Sequence, residues 1–201
     1  MNRTVRLILI SILPGVISLQ AIAADNTAVW MPYDESADLA TLAAQENDSM
    51  HYRLLNSKVL DKNSLWDPYS RELDRFGAEN YEALKPLILD RPIASIQNAV
   101  AAGLLTYEAL TTFYIYRIRE IESDDSSYIN AVIALNPSAI NRARMLDELR
   151  RQGRAVPADS IFGIPVLLKD NIGVAGMATS AGAIALQNNY TSNAFVTERL
   201  L

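Results

Sequence analysis

Residues 163–182 read GIPVLLKDNIGVAGMATSAG, and the single lysine among them, Lys169, poses the question that organises the chain. Pro165 has no N–H to give a sheet ladder, so a strand is predicted to begin there and run over 166–169. A lysine at the end of such a strand keeps its charge in water, finds an acidic partner, or loses its proton. Asp170 follows directly and offers the ordinary outcome, an ion pair with an unaltered pKa. The surroundings point elsewhere. Val166, Leu167 and Leu168 precede the lysine, and the residues from Gly173 to Ser180 are small and uncharged. An amine held in so apolar and narrow a setting loses solvation, and desolvation lowers its pKa. A neutral amine can accept a proton and activate a hydroxyl, the Ser–Lys form of nucleophilic catalysis.

Composition narrows the alternatives. The chain has 201 residues, 50% hydrophobic and 20% charged, with a net charge of −5. That balance suits one globular domain with a real core. No Lys/Arg cluster interleaves with aromatics, so binding to nucleic acid is not expected. Neither a GxGxxG fingerprint nor a GxxxxGK[ST] loop is present, and Gly173 and Gly176 form only a weak GxxG. With no cysteine, thiolate metal sites, disulfides and a Cys nucleophile drop out together. The one histidine, His51, stands in the polar stretch ENDSMHYRLLN and reads as a surface residue. A Ser-His-Asp triad around it has no supporting context, and a zinc site would lack its other ligands. No cofactor is implied.

The first residues read as an address. Arg3 and Arg6 precede an apolar stretch at 7–19, and small residues at 21–24 follow it. A basic start, a short apolar run and an A-x-A site together describe a secretory signal peptide, expected to be cleaved after Ala23 or Ala24. The run is shorter than the roughly 20 residues a bilayer span needs, and Pro14 and Gly15 break it, so no stable membrane span is expected. An exported chain without cysteine suits a periplasm or the extracellular space.

Three parts are expected: a signal peptide at 1–23, a helical and irregular extension at 24–92, and the start of the main domain at 93–201. In the extension, DESADLATLAAQEND predicts a short acidic helix beginning at Asp34 or Ser36, with Leu39, Leu42 and Ala43 on one side. Pro68, Gly77 and Pro86 divide the next stretch into short helical pieces. Beyond Ile93, Ser95 is read as an N-cap and Gly103 as a stop, with Ile96, Ala99 and Val100 on the inner face. Thr106 caps a longer helix in which Leu110, Tyr114, Ile118 and Ile121 recur, its aromatics serving core and rim rather than a cofactor. YINAVIALN predicts a strand at 128–136. Ser138 then caps a helix whose inner stripe is Ile140, Ala143, Leu146 and Leu149, with Arg150 and Arg151 in its last turn, where the helix dipole favours cations. Helices alternating with strands give an α/β class, in which loops at strand C-termini carry the sites.

The stretches NAVIALNPSAINRARMLDELRRQG, SIFGIPVLLKDNIGVAGMATSAGAIAL and SNAFVTERLL closely resemble the amidase signature family of serine hydrolases. The resemblance runs over about 95–201, and GIPVLLKDNI is its most diagnostic part. It implies an α/β/α sandwich with a mixed sheet, of which this chain holds the front part, mostly helical with a few strands. It also implies that Lys169 is the base of a Ser-cisSer-Lys triad acting on a small-molecule amide. The triad's two serines, and the oxyanion loop, would lie beyond Leu201. Ser180 and Ser192 match loop positions in the resemblance rather than triad serines. The expected function is therefore an exported amidase cleaving a carboxamide C–N bond, with this stretch inactive alone. The alternatives are the glutaminase subunit of a tRNA-dependent amidotransferase, which the signal peptide argues against, and a non-catalytic binding module.

Overall fold

The computed structural model describes residues 30–31, 33–51, 61–124 and 126–201. The expected signal peptide lies outside them.

α1 (Ser36–Ala43) is the acidic helix expected after Asp34, and it buries none of its residues. α2 (Asn63–Trp66) leads through a short 3-10 turn into α3 (Ser70–Ile88). Gly77 sits inside α3 at φ +63, so two helical pieces meet there at a kink. α4 (Ile93–Ala101) begins after Pro92 rather than at Ser95, and it buries Ile96, Ala99 and Val100 as the periodicity predicts. Gly103 ends it in the left-handed region, with the Leu104 N–H reaching back to the Ala99 carbonyl at 3.0 Å.

α5 (Tyr107–Glu122) is the organising helix, packed against both α3 and α6 (Ala139–Arg151). Its start is fixed twice. The Thr106 hydroxyl accepts the Ala109 N–H at 3.0 Å, the expected cap. The Asp147 carboxylate, from α6, accepts the N–H groups of Tyr107 and Glu108, both at 2.9 Å. A carboxylate at a helix N-terminus meets the positive end of the dipole, so α6 is tied to the first turn of α5 by charge as well as packing. Leu110 and Phe113 join Ile88, Ile96 and Val100 in one apolar cluster. One turn on, Ile115 and Tyr116 join Trp30, Trp66, Tyr69, Leu73 and Ile140 in a second. The buried face of α5 is thus wider than the expected stripe, and Tyr114, Ile118 and Ile121 lie at its edge. α7 (Phe195–Leu200) is short.

The two predicted strands are not formed. Among the described residues the β pairing is one antiparallel bridge, Ala178 with Tyr190. A strand exists only as a ladder, and no described segment runs beside 166–169 or 128–136 to complete one. The second segment is held by side chains instead. Asn130 adopts φ +52, which interrupts any strand. The Ala131 N–H donates to Glu122 at 2.7 Å, and Tyr69 donates its hydroxyl to the Asn136 carbonyl.

Lys62 belongs to this clasp. It is only 6% exposed, and its amine donates to Asn130 Oδ1 at 2.7 Å and faces the Val132 carbonyl at 3.5 Å. Lys62→Ala strips the buried Val132 carbonyl and the Asn130 amide oxygen of a donor and is expected to cost about 1–3 kcal/mol. Lys62→Met keeps the apolar stem and is expected to recover part of that loss. Urea denaturation checks both, and an unchanged midpoint for Lys62→Ala would show that the clasp adds no stability.

Candidate active site

Lys169 ends an irregular segment whose front is anchored by two residues, Gln97 of α4 and Tyr107 of α5. Gln97, buried on α4, donates through Nε2 to the carbonyls of Ser160 and Phe162 at 2.7 and 2.8 Å. Its Oε1 accepts the Tyr107 hydroxyl at 2.8 Å. The Tyr107 ring meets Phe162 edge-on at 5.5 Å and lies directly over Gly163. A Cβ at Gly163 would stand 2.3 Å from that ring, and the residue holds φ +73. Only glycine satisfies both conditions. The side-chain amide and the ring therefore fix where the 163–169 segment starts.

Past Gly163 the support weakens. Val166 is 51% and Leu167 75% exposed, and Lys169 itself is exposed. The burial expected for the lysine is thus absent here. Without a paired strand Val166 and Leu167 face outward, and half-buried Leu168 does not cover the amine, so the desolvation argument has little to act through. The ion pair with Asp170 is not formed either, because that carboxylate faces away along its own loop.

The loop after Lys169 is closed tightly. Ser180, 9% exposed, donates its hydroxyl to Asp170 Oδ2. The Gly182 N–H donates to the same oxygen at 3.1 Å, and the Ala181 N–H donates to the Asp170 main-chain carbonyl at 3.1 Å. Burial acts to raise the Asp170 pKa, but these donors outweigh it and hold the carboxyl below its ordinary value of 3.8. The folded value being depressed, the closure is fully present above that ordinary value and is lost as pH falls through the lower one. Ala181 is held at φ +50, a left-handed conformation costing a non-glycine residue roughly 1–3 kcal/mol, which its surroundings must offset.

Beyond this closure the loop is fastened to the lead-in of α7. The Gly173 carbonyl accepts the Ala194 N–H at 2.9 Å and the Thr197 hydroxyl at 2.8 Å. The Ala175 N–H donates to Asn193 at 2.7 Å. Thr179 and Asn189 exchange two hydrogen bonds, at 2.8 and 3.0 Å. Gly173 packs so closely on Ser192 that a Cβ would meet its carbonyl oxygen at 2.5 Å. Ser180 thus serves loop closure, and Ser192 lies with its carbonyl against Gly173.

The other candidates fall away from this region. His51 is exposed, its ring bonded to the Gln45 carbonyl at 2.7 Å. Among the described residues no three His, Cys, Asp or Glu side chains converge as a metal site would require. A cavity of about 160 Å³ lies between α3 and the start of α5, lined by Glu72, Phe76, Glu108 and Thr112, and none of residues 163–182 reaches it. Sequence reasoning missed Asp170 as a loop anchor and missed Gln97 and Tyr107 altogether. The Lys-Asp adjacency was the one available signal for the first, and it suggested the wrong partner.

This region is similar to known proteins. Residues 109–201 match the family model described as Amidase. The crystal structure of an amidase family protein from Bacillus anthracis superposes with a TM-score of 0.62 at 30% identity, covering 70% of this chain and 27% of that one. The native peptide amidase from Stenotrophomonas maltophilia superposes with a TM-score of 0.52 at 40% identity, covering 56% and 22%. A glutamyl-tRNA(Gln) amidotransferase subunit from Chlamydia pneumoniae is 31% identical over 106 residues, 52% of this chain and 20% of that protein. The chain spans about a fifth of the length of the curated relatives it matches. The stretch 109–201, which holds the anchored lysine segment and the loop fastened to α7, is thus similar to the amidase family.

Proposed function

We propose that this chain is the front part of an exported amidase that hydrolyses a carboxamide C–N bond in a small molecule, with Lys169 as the proton acceptor of a Ser–Ser–Lys triad. The observation that carries the reading is the anchored 163–182 segment: it bears Lys169, lies within the amidase match, and is fixed at Gly163 and again at Asp170. The mixed sheet of an α/β/α sandwich would form once 128–136 and 166–169 gain paired neighbours, and the same pairing would cover Val166 and Leu167. The test is ammonia release from simple carboxamides by the enzyme as encoded, compared with its Lys169→Ala variant.

The amidotransferase relatives favour a second reading, a glutaminase that works with a tRNA-dependent partner. The N-terminal sequence, read as a signal peptide, supports the exported enzyme over the glutaminase. The expected result is a mature protein starting at Ala24 or Asp25, read by intact mass of the product recovered outside the cytoplasm. A product retaining residues 1–23 in the cytoplasm would favour the glutaminase reading.

A further inference from the structure

We infer that Asp170 is a positioning residue for Lys169: its carboxylate closes the 170–182 loop and so fixes the turn that carries the lysine. The inference rests on the reading of Lys169 as proton acceptor and adds a residue to it. An acid next to a lysine in sequence suggests an ion pair, yet the Asp170 carboxylate is occupied ten residues away by the Ser180 hydroxyl and the Gly182 N–H. Its main chain is engaged too, through the Ala181 N–H, while the Lys169 carbonyl accepts the Ile172 N–H at 2.8 Å. Four donors thus converge on two adjacent residues. Ser180 is buried and has Asp170 as its acceptor, so the pair is part of the loop's interior rather than a surface accident. Upstream, the lysine segment is fixed as far as Ile164, which packs on the core, and 166–167 lie open. Asp170 is therefore the near anchor of Lys169, and the amine's place depends on it more than on the apolar residues before it.

Hydrogen exchange and kinetics test this together. In the 201-residue chain, Asp170→Ala is expected to speed exchange of the Ala181 and Gly182 amides by about tenfold or more, the size of a lost charge-assisted hydrogen bond, with α4, α5 and α6 unchanged. Asp170→Asn, which keeps an acceptor but not the charge, is expected to fall between. Ser180→Thr should stay near the parent because it keeps the hydroxyl. In the enzyme as encoded, Asp170→Ala is expected to lower kcat by about tenfold or more at nearly constant KM, again with Asn between. Unchanged exchange at Gly182, or faster exchange with an unchanged kcat, would overturn the inference. Should Asp170→Ala unfold the chain, Asp170→Asn and Ser180→Ala read the same amides. Unchanged turnover in Lys169→Ala would instead overturn the proposed function, so the two failures are distinct.

Discussion

Lys169→Ala is expected to lower amide turnover by at least about a hundredfold, the low end for a positioned proton-transfer group. The expectation belongs to an enzyme that carries this segment together with the two serines the resemblance implies. For the amine to accept a proton near neutral pH, its charged form must be disfavoured by loss of solvation. In the 201-residue chain Lys169 is exposed, and Val166 and Leu167 face outward. Any desolvation must therefore come from whatever covers 166–169, and a sheet neighbour would supply it. Lys169→Arg discriminates between roles. A guanidinium keeps the charge but cannot take up a proton, so under the acceptor role it fails as badly as alanine. Under a purely electrostatic role it restores activity, and the pH–rate profile loses no limb tied to this residue. Near-normal turnover in Lys169→Arg would end the acceptor assignment. Lys85 is the suitable control, since it pairs with Glu82 on the surface of α3. Lys62 is not, because its burial couples any substitution to stability.

The helices were legible because their information is local. Thr106 and the apolar spacing of α5, or Gly103 after α4, act within a turn or two of chain, and the structure places them where the sequence does. Even there the inner face of α5 was underestimated. Two apolar clusters meet on it, one of them built from Trp30 and Trp66, which no periodicity within α5 can announce. The strands failed for the opposite reason. Apolar β-branched runs such as 128–136 announce a strand, but a ladder needs a second backbone, and Asn130 is instead captured by Lys62 from 68 residues away. At the site, Lys169 was readable from its motif. The residues that hold its segment were not, because Gln97, Tyr107 and Ser180 act across the fold, and nothing in their own neighbourhoods marks them.

Gly163→Ala is expected to be the most destabilising single methyl in this region, and the structure supplies its own control. Gly163 and Gly176 both sit in the left-handed region, at φ +73 and φ +86. At Gly176 nothing lies within 4 Å of an added Cβ, whereas at Gly163 the Tyr107 ring stands 2.3 Å away. Gly176→Ala should therefore cost only the backbone penalty of about 1–2 kcal/mol. Gly163→Ala carries that penalty and an overpacking cost of about 1–3 kcal/mol besides, since a buried aromatic ring cannot swing aside as a flexible chain end would. Moving the ring has a further consequence. The Tyr107 hydroxyl donates to Gln97, and Gln97 in turn holds the Ser160 and Phe162 carbonyls, so displacement loosens the whole front anchor of the lysine segment. Urea denaturation of the two variants reads the difference in midpoint, and hydrogen exchange at 160–164 reads the loosening. A double-mutant cycle with Tyr107→Ala isolates the contact, with a coupling of about 1 kcal/mol or more expected for groups this close. Equal losses in Gly163→Ala and Gly176→Ala, with no coupling to Tyr107, would mean that backbone conformation alone governs the position and that the ring does not fix the segment leading to Lys169.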